Sequence, residues 1–151
     1  MKDIYAALVR FCSYQERCRS DVINKMKQLN VSESQFEKWL LLLEKENFLN
    51  EKRFVKNFVN GRFKHKNWGI SKIKRELAAR QIDRELIEQT LAEEIEQEEY
   101  TDKLMQLAEK KWKNAKDTHP EMRRIKVQNY LLSKGFELPV VLKIMQSDIF
   151  R

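Results

Sequence analysis

The sequence predicts an all-α fold: a tandem array of three three-helix, helix-turn-helix-like repeats forming an elongated or curved body. Three observations predict it. The chain has 151 residues but only 3 Gly and 2 Pro, too little punctuation for the tight turns that sheets need. Its apolar residues recur every three or four positions, the period of a helix with one buried stripe. The same pattern is also written three times along the chain.

The repeat can be read column by column. Val22, Ile73 and Val127 form one apolar column, and Met26, Leu77 and Leu131 the next. Val31, Ile82 and Phe136 follow, then Phe36, Ile87 and Val141, then Leu40, Leu91 and Met145. Upstream, Ile4, Phe54 and Leu104 align, as do Leu8, Phe58 and Ala108. Three units of about fifty residues are expected, at 1–49, 50–98 and 99–151. A unit of that size is marginal alone, so neighbours are expected to stack and share apolar faces.

In the first unit helices are expected near 3–15, 20–29 and 32–46, with Ser20 opening the second. Ser32 stands three residues before Gln35, the spacing of a capping box for the third. The second unit is expected to place helices near 50–64, 69–80 and 83–97, with Ser71 near the start of the middle one. Asp83 takes the place of Ser32. Helices near 99–115, 118–134 and 137–148 complete the third unit. Thr118 and Glu121 have capping-box spacing, and Pro120 and Pro139 fall in first turns, where a missing N–H costs little.

The net charge of +7 is unevenly spread. Residues 1–51 carry 8 basic and 8 acidic side chains, and residues 52–84 carry 11 Lys/Arg against Glu76 and Asp83. Residues 85–102 then hold 8 acids and no Lys or Arg, and 103–134 return to 9 basic against 3 acidic groups. Such alternation fits a polyanion-facing surface flanked by an acidic segment, or simply solvated helix faces. No apolar run approaches the roughly 20 residues of a membrane span, and Met1-Lys2-Asp3-Ile4 lacks a secretory apolar core. A cytoplasmic monomer with no membrane partner is expected.

Little points to catalysis. The chain has neither a G-x-x-x-x-G-K-[ST] stretch nor a G-x-G-x-x-G stretch. Cys12 and Cys18 are the only cysteines, and neither Ser13 nor Cys12 has a His nearby in sequence. His65 and His119 are isolated, so no metal ligand set is expected. We therefore expect no catalytic residue, no metal and no cofactor. The acids Glu93, Glu94, Glu96, Glu98 and Glu99 are expected to form a solvated face.

The most informative stretch is 53–82. Phe54, Val55, Phe58 and Val59 make an apolar stripe, with Arg53, Lys56 and Arg62 off it. A basic connection with interleaved aromatics follows, Phe63-Lys64-His65-Lys66-Asn67-Trp68-Gly69. Gly69 suggests backbone angles closed to other residues. Beyond it, Lys72, Lys74 and Arg75 lie near a helix start whose dipole favours an anion. Trp39, Trp68 and Trp112 read as packing residues.

This stretch resembles the signature of the RecX family. The matching residues are Arg53-Phe54, Phe58-Val59, Arg62, Lys66, Trp68-Gly69, Ile73, Glu76-Leu77 and Ile82. Lys126, Leu131, Gly135-Phe136 and Val141 echo a family theme in the third unit, and the similarity covers nearly the whole chain. Gln81 stands where the family usually has Gly, Cys18 where Ser is common, and Gly61 interrupts the helix before Arg62. The resemblance implies a regulator that binds the RecA–single-stranded DNA filament and modulates RecA, mainly by inhibiting strand exchange, ATP hydrolysis and co-protease activity. Its filament contacts would come from Arg53, Arg62, Lys64, Lys66, Lys72, Lys74 and Arg75, reaching RecA or the phosphates of single- or double-stranded DNA. A helix-turn-helix protein that binds nucleic acid directly is the second expectation, and a helical scaffold for another partner the third.

Overall fold

Nine α-helices follow one another in the computed structural model, which describes residues 2–116 and 119–151; no strand occurs among them. They are α1 (Lys2–Tyr14), α2 (Arg19–Gln28), α3 (Phe36–Lys45), α4 (Glu51–Asn60) and α5 (Ile70–Ala79), then α6 (Arg84–Glu94), α7 (Gln97–Asn114), α8 (Pro120–Ser133) and α9 (Leu138–Ile144). Short 3₁₀ turns at Glu33–Gln35 and Asp148–Phe150, and a π turn at Gly61–His65, complete them.

The same turn joins the second and third helices of every trio. Residues 30, 81 and 135 occupy equivalent places, and all three have positive φ: Asn30 at 59°, Gln81 at 60° and Gly135 at 95°. One residue later, the N–H of Val31, Ile82 and Phe136 reaches back to the carbonyl of Met26, Leu77 and Leu131 at 3.0, 3.3 and 3.1 Å. A left-handed residue followed by this long back-bond is the Schellman ending of a helix. Gln81 therefore adopts, at some conformational cost, the angles that Gly adopts most easily.

The apolar columns fill the interior. Val22, Ile73 and Val127 are fully buried, as are Met26, Leu77 and Leu131. Buried residues gather in two clusters. Leu8, Val22, Met26, Leu40, Leu43 and Leu49 belong to one, confined to α1–α3 and the segment leading out of them. The other runs unbroken from Phe54 to Phe150, so α4–α9 share a single core, which Cys18 also joins. Burying a large apolar side chain contributes about 1.5–3 kcal/mol, so the second and third trios are held together mainly by shared apolar area.

The joint between the first and second trios is polar by comparison. Arg53 Nε meets Glu16 Oε2 at 2.5 Å, and Glu51 Oε2 accepts from the Arg19 N–H at 2.8 Å. Burial raises the Glu51 carboxyl above its ordinary value, against the pull of Arg19. Exposed or half-exposed ion pairs contribute about 0–1 kcal/mol each.

Several local expectations are corrected. Ser32 provides no cap to a backbone N–H; its hydroxyl pairs with that of Ser34 at 2.9 Å, and a 3₁₀ turn enters α3 instead. Helix α2 starts after Cys18, whose N–H donates to Asp21 Oδ2 at 3.1 Å, and α5 after Gly69, so neither Ser20 nor Ser71 is the cap. Asp83 does cap α6, accepting from the Leu86 N–H at 3.3 Å. Thr118 lies outside the described residues, while Pro120 occupies the first turn of α8 and Pro139 that of α9. Trp112 is buried, whereas Trp39 and Trp68 are half-buried.

Candidate functional site

The helix expected over 50–64 does not run through as one α-helix. At Gly61 it widens into a π turn, in which the Lys66 N–H reaches the Gly61 carbonyl at 3.2 Å. The wider turn sends Phe63 inward, fully buried and stacked on Tyr100 at 5.8 Å between centroids. Lys64, His65 and Lys66 are left exposed. Single π turns inside helices are frequent at functional sites. Lys103 clasps the far side of this loop, donating to the Lys64 carbonyl at 3.2 Å and to Asn67 Oδ1 at 3.0 Å.

Downstream of the loop, the chain docks backbone to backbone on the third trio. The Gly69 N–H donates to the Lys134 carbonyl at 2.7 Å, and the Ser71 N–H to the Gly135 carbonyl at 2.9 Å. Between them the Ile70 N–H donates to the Tyr100 hydroxyl at 3.0 Å, and that hydroxyl donates in turn to Glu137. Burial, and then the bond to Glu137, push the Tyr100 phenol well above its ordinary pKa, so it is held as a donor. These bonds correct two expectations. The N–H groups of Gly69, Ile70 and Ser71, which lead into α5, are already satisfied within the protein and do not face an anion. Gly69, at φ −80° and ψ 168°, uses no unusual angles. It is glycine because a Cβ there would lie 2.3 Å from the Phe136 nitrogen and 2.4 Å from the Gly135 carbonyl.

The seven basic residues singled out in the sequence separate by partner. Arg53 is half-buried in the first joint, bound to Glu16 and to the carbonyls of Asn47 and Phe48 at 3.2 and 3.5 Å. Lys74 pairs with Glu88 at 2.9 Å. Glu76 faces Arg80 at 3.7 Å, and Arg62 forms no ion pair among the described residues. Its guanidinium lies over Phe58 at 4.3 Å and Trp68 at 5.2 Å from the ring centroids. Lys72 stands over the same Trp68 at 4.4 Å. Lys64, Lys66 and Arg75 are exposed. Arg62 and Lys72 are thus held in place by aromatic faces, which fix a cation without neutralising it.

Lys134 was not among these residues, yet the docking brings it beside them. Burial first, then the charges of Lys72 and Lys66, lower its ammonium pKa. It lies outside the basic stretch in sequence, and its only sequence signal was its place just before the turn glycine Gly135.

The other candidate chemistries stay apart. Cys12 and Cys18 are free, buried thiols, and burial raises both pKa values, which suppresses the reactive thiolate. His119 caps α8, its Nδ1 accepting from the Glu121 N–H at 3.3 Å. No group of three or more His, Cys, Asp or Glu is arranged to hold a metal among the described residues. Among the same residues no helix is long and apolar enough to cross a membrane.

Residues 50–91 match the family model described as RecX, second three-helix domain, and residues 97–145 match that of the RecX third three-helix domain. Together the two matches span well over half of the chain. The chain belongs to the RecX family. Among its RecX relatives, the regulatory protein RecX of Haemophilus influenzae (strain PittGG) is 28% identical over 131 residues, 85% of this chain and 84% of that protein. The regulatory protein RecX of Legionella pneumophila (strain Corby) is 26% identical over 147 residues, 97% of this chain and 95% of the relative. The crystal structure of RecX from Lactobacillus salivarius superposes with a TM-score of 0.85 at 25% identity, over 96% of this chain and 94% of that one. Within the RecX framework, the π turn and the Trp68 cations fall in the matched second domain, and Lys134 in the third.

Proposed function

We propose that this RecX-family chain binds the RecA–single-stranded DNA filament and restrains RecA, mainly inhibiting strand exchange, ATP hydrolysis and co-protease activity. The observation that carries this reading is the surface of the second domain. There Arg62, Lys64, Lys66, Lys72 and Arg75 are exposed or half-exposed, and none of them enters an ion pair among the described residues. Arg53 and Lys74 have carboxylate partners and serve the fold in this reading. The units 1–49, 50–98 and 99–151 act as one intracellular, non-catalytic, monomeric rod, with α4–α9 as its stiff part.

A helix-turn-helix reader of duplex sequence is less well supported. The third helix of the second trio would have to enter the major groove, yet α6 carries Glu85, Glu88, Glu93 and Glu94 against a single Arg84. Acids along that helix repel phosphates.

The DNA-dependent ATP hydrolysis of RecA tests the proposal. Titrated with this chain, the rate should fall to a small fraction of its starting value at or below one chain per RecA protomer. An unchanged rate over a wide titration would overturn it.

A further inference from the structure

We infer that the seam between the second and third trios is a seat for the phosphates of a nucleic-acid strand, completed by Lys134 from the third trio beside Arg62, Lys66 and Lys72 from the second. This deepens the proposed reading by giving the seam to the strand and not to RecA.

The seam fixes the four cations together. The Gly69–Lys134 backbone bond of 2.7 Å ties the Lys134 main chain to the start of α5. A Cβ built on Gly135 would meet Lys72 Cβ at 2.2 Å, so the two segments run in direct contact there. Trp68, just before Gly69, holds Lys72 and Arg62 at 4.4 and 5.2 Å from its ring. Arg62 lies over two aromatic rings, leaving the edges of its planar head able to make paired bonds to phosphate.

The cluster carries excess charge. No ion pair among the described residues uses Arg62, Lys66, Lys72 or Lys134. The lysines instead act on one another, Lys72 and Lys66 disfavouring the charge on Lys134. Closely set like charges without counter-charges favour an anionic occupant.

Composition separates a strand from an acidic protein surface. The core of a protein–protein interface is apolar and depleted in charge, whereas nucleic-acid interfaces are polar and strongly positive. The large exposed apolar side chains lie at Tyr14 and Leu41, and from Met122 onward. None lies within residues 62–72, and Leu132 and Leu138 are the exposed apolar side chains nearest Lys134 in sequence. Lys64, exposed on the same loop, adds a further cation beside the seam.

The test uses the full chain and labelled oligothymidylate without RecA, with anisotropy read at several salt concentrations. The parent should bind with a steep salt dependence. Lys72→Gln with Lys134→Gln should weaken binding at least tenfold and reduce the log–log salt slope by about 1.4, from roughly 0.7 per lost phosphate contact on a single strand. Lys45→Gln, on exposed α3 surface, should leave both unchanged, and circular dichroism should show all variants equally helical. Unchanged affinity and slope in the folded double variant would overturn the inference. So would polyglutamate displacing the oligonucleotide as well, charge for charge, as unlabelled DNA does, since the seat would then be one for acidic protein. Because RecA is absent, failure here leaves the ATPase result standing on its own, and the reverse also holds.

Discussion

Replacing Gly135 with alanine is expected to destabilise the α4–α9 body by about 3 kcal/mol, the upper range for overpacking with backbone strain. The residue sits at φ +95°, and its Cβ would fall 2.2 Å from Lys72 Cβ and 2.7 Å from the Lys72 nitrogen. The left-handed angle alone is not decisive, because Asn30 and Gln81 adopt φ of 59° and 60° at the equivalent turns. The close approach of the two trios is what demands glycine here. Gly69→Ala meets the same seam from the other side, with its Cβ 2.3 Å from the Phe136 nitrogen. The two substitutions together should therefore cost clearly less than the sum of the singles, since a seam once opened cannot be opened again. Urea unfolding followed by fluorescence of Trp68 and Trp112 reads this directly. A midpoint for Gly135→Ala equal to the parent's would show that the trios do not meet this closely in solution.

Phe63→Ala is expected to cost about 3–5 kcal/mol, the range for removing a buried phenyl ring. Phe63 has no solvent exposure and points into the core shared by α4–α9, stacked on Tyr100. It is also the one residue of the π turn that is buried, so its loss removes the reason for the loop to keep its shape. Phe63→Leu, which keeps most of the apolar volume, should recover much of the loss. Denaturant midpoints for the two variants decide the point. Equal, small losses would mean that the ring does not anchor the turn.

The arrangement of helices could be read from the chain because apolar period and repeat offset are local, redundant signals. Seven columns of three residues agree with one another, and in the structure nearly all of those side chains are buried. The three Schellman turns were partly legible through Gly135, but Asn30 and Gln81 gave little sign of positive φ. What remained hidden depended on contacts distant in sequence. Nothing near Arg53 pointed to Glu16, nor near Lys74 to Glu88, so cations with internal partners looked the same as those without. Gly69 was legible as special, but for the wrong physical reason, because the clash that fixes it comes from the third trio. The closed N-terminus of α5 and the arrival of Lys134 follow from the same docking. The π turn has no local pattern of its own beyond Gly61; it arises where Phe63 must reach the core while Lys64 to Lys66 stay outside.

The most direct test of the central claim is co-sedimentation with RecA assembled on single-stranded DNA in a non-hydrolysable ATP analogue, which separates binding from ATP turnover. The account predicts that the chain pellets with these filaments and stays in solution with RecA alone. It also predicts that a folded Arg62→Glu, Lys66→Glu, Lys72→Glu variant remains in the supernatant. A parent chain left in solution at every RecA concentration, or a variant that pellets as the parent does, would contradict it.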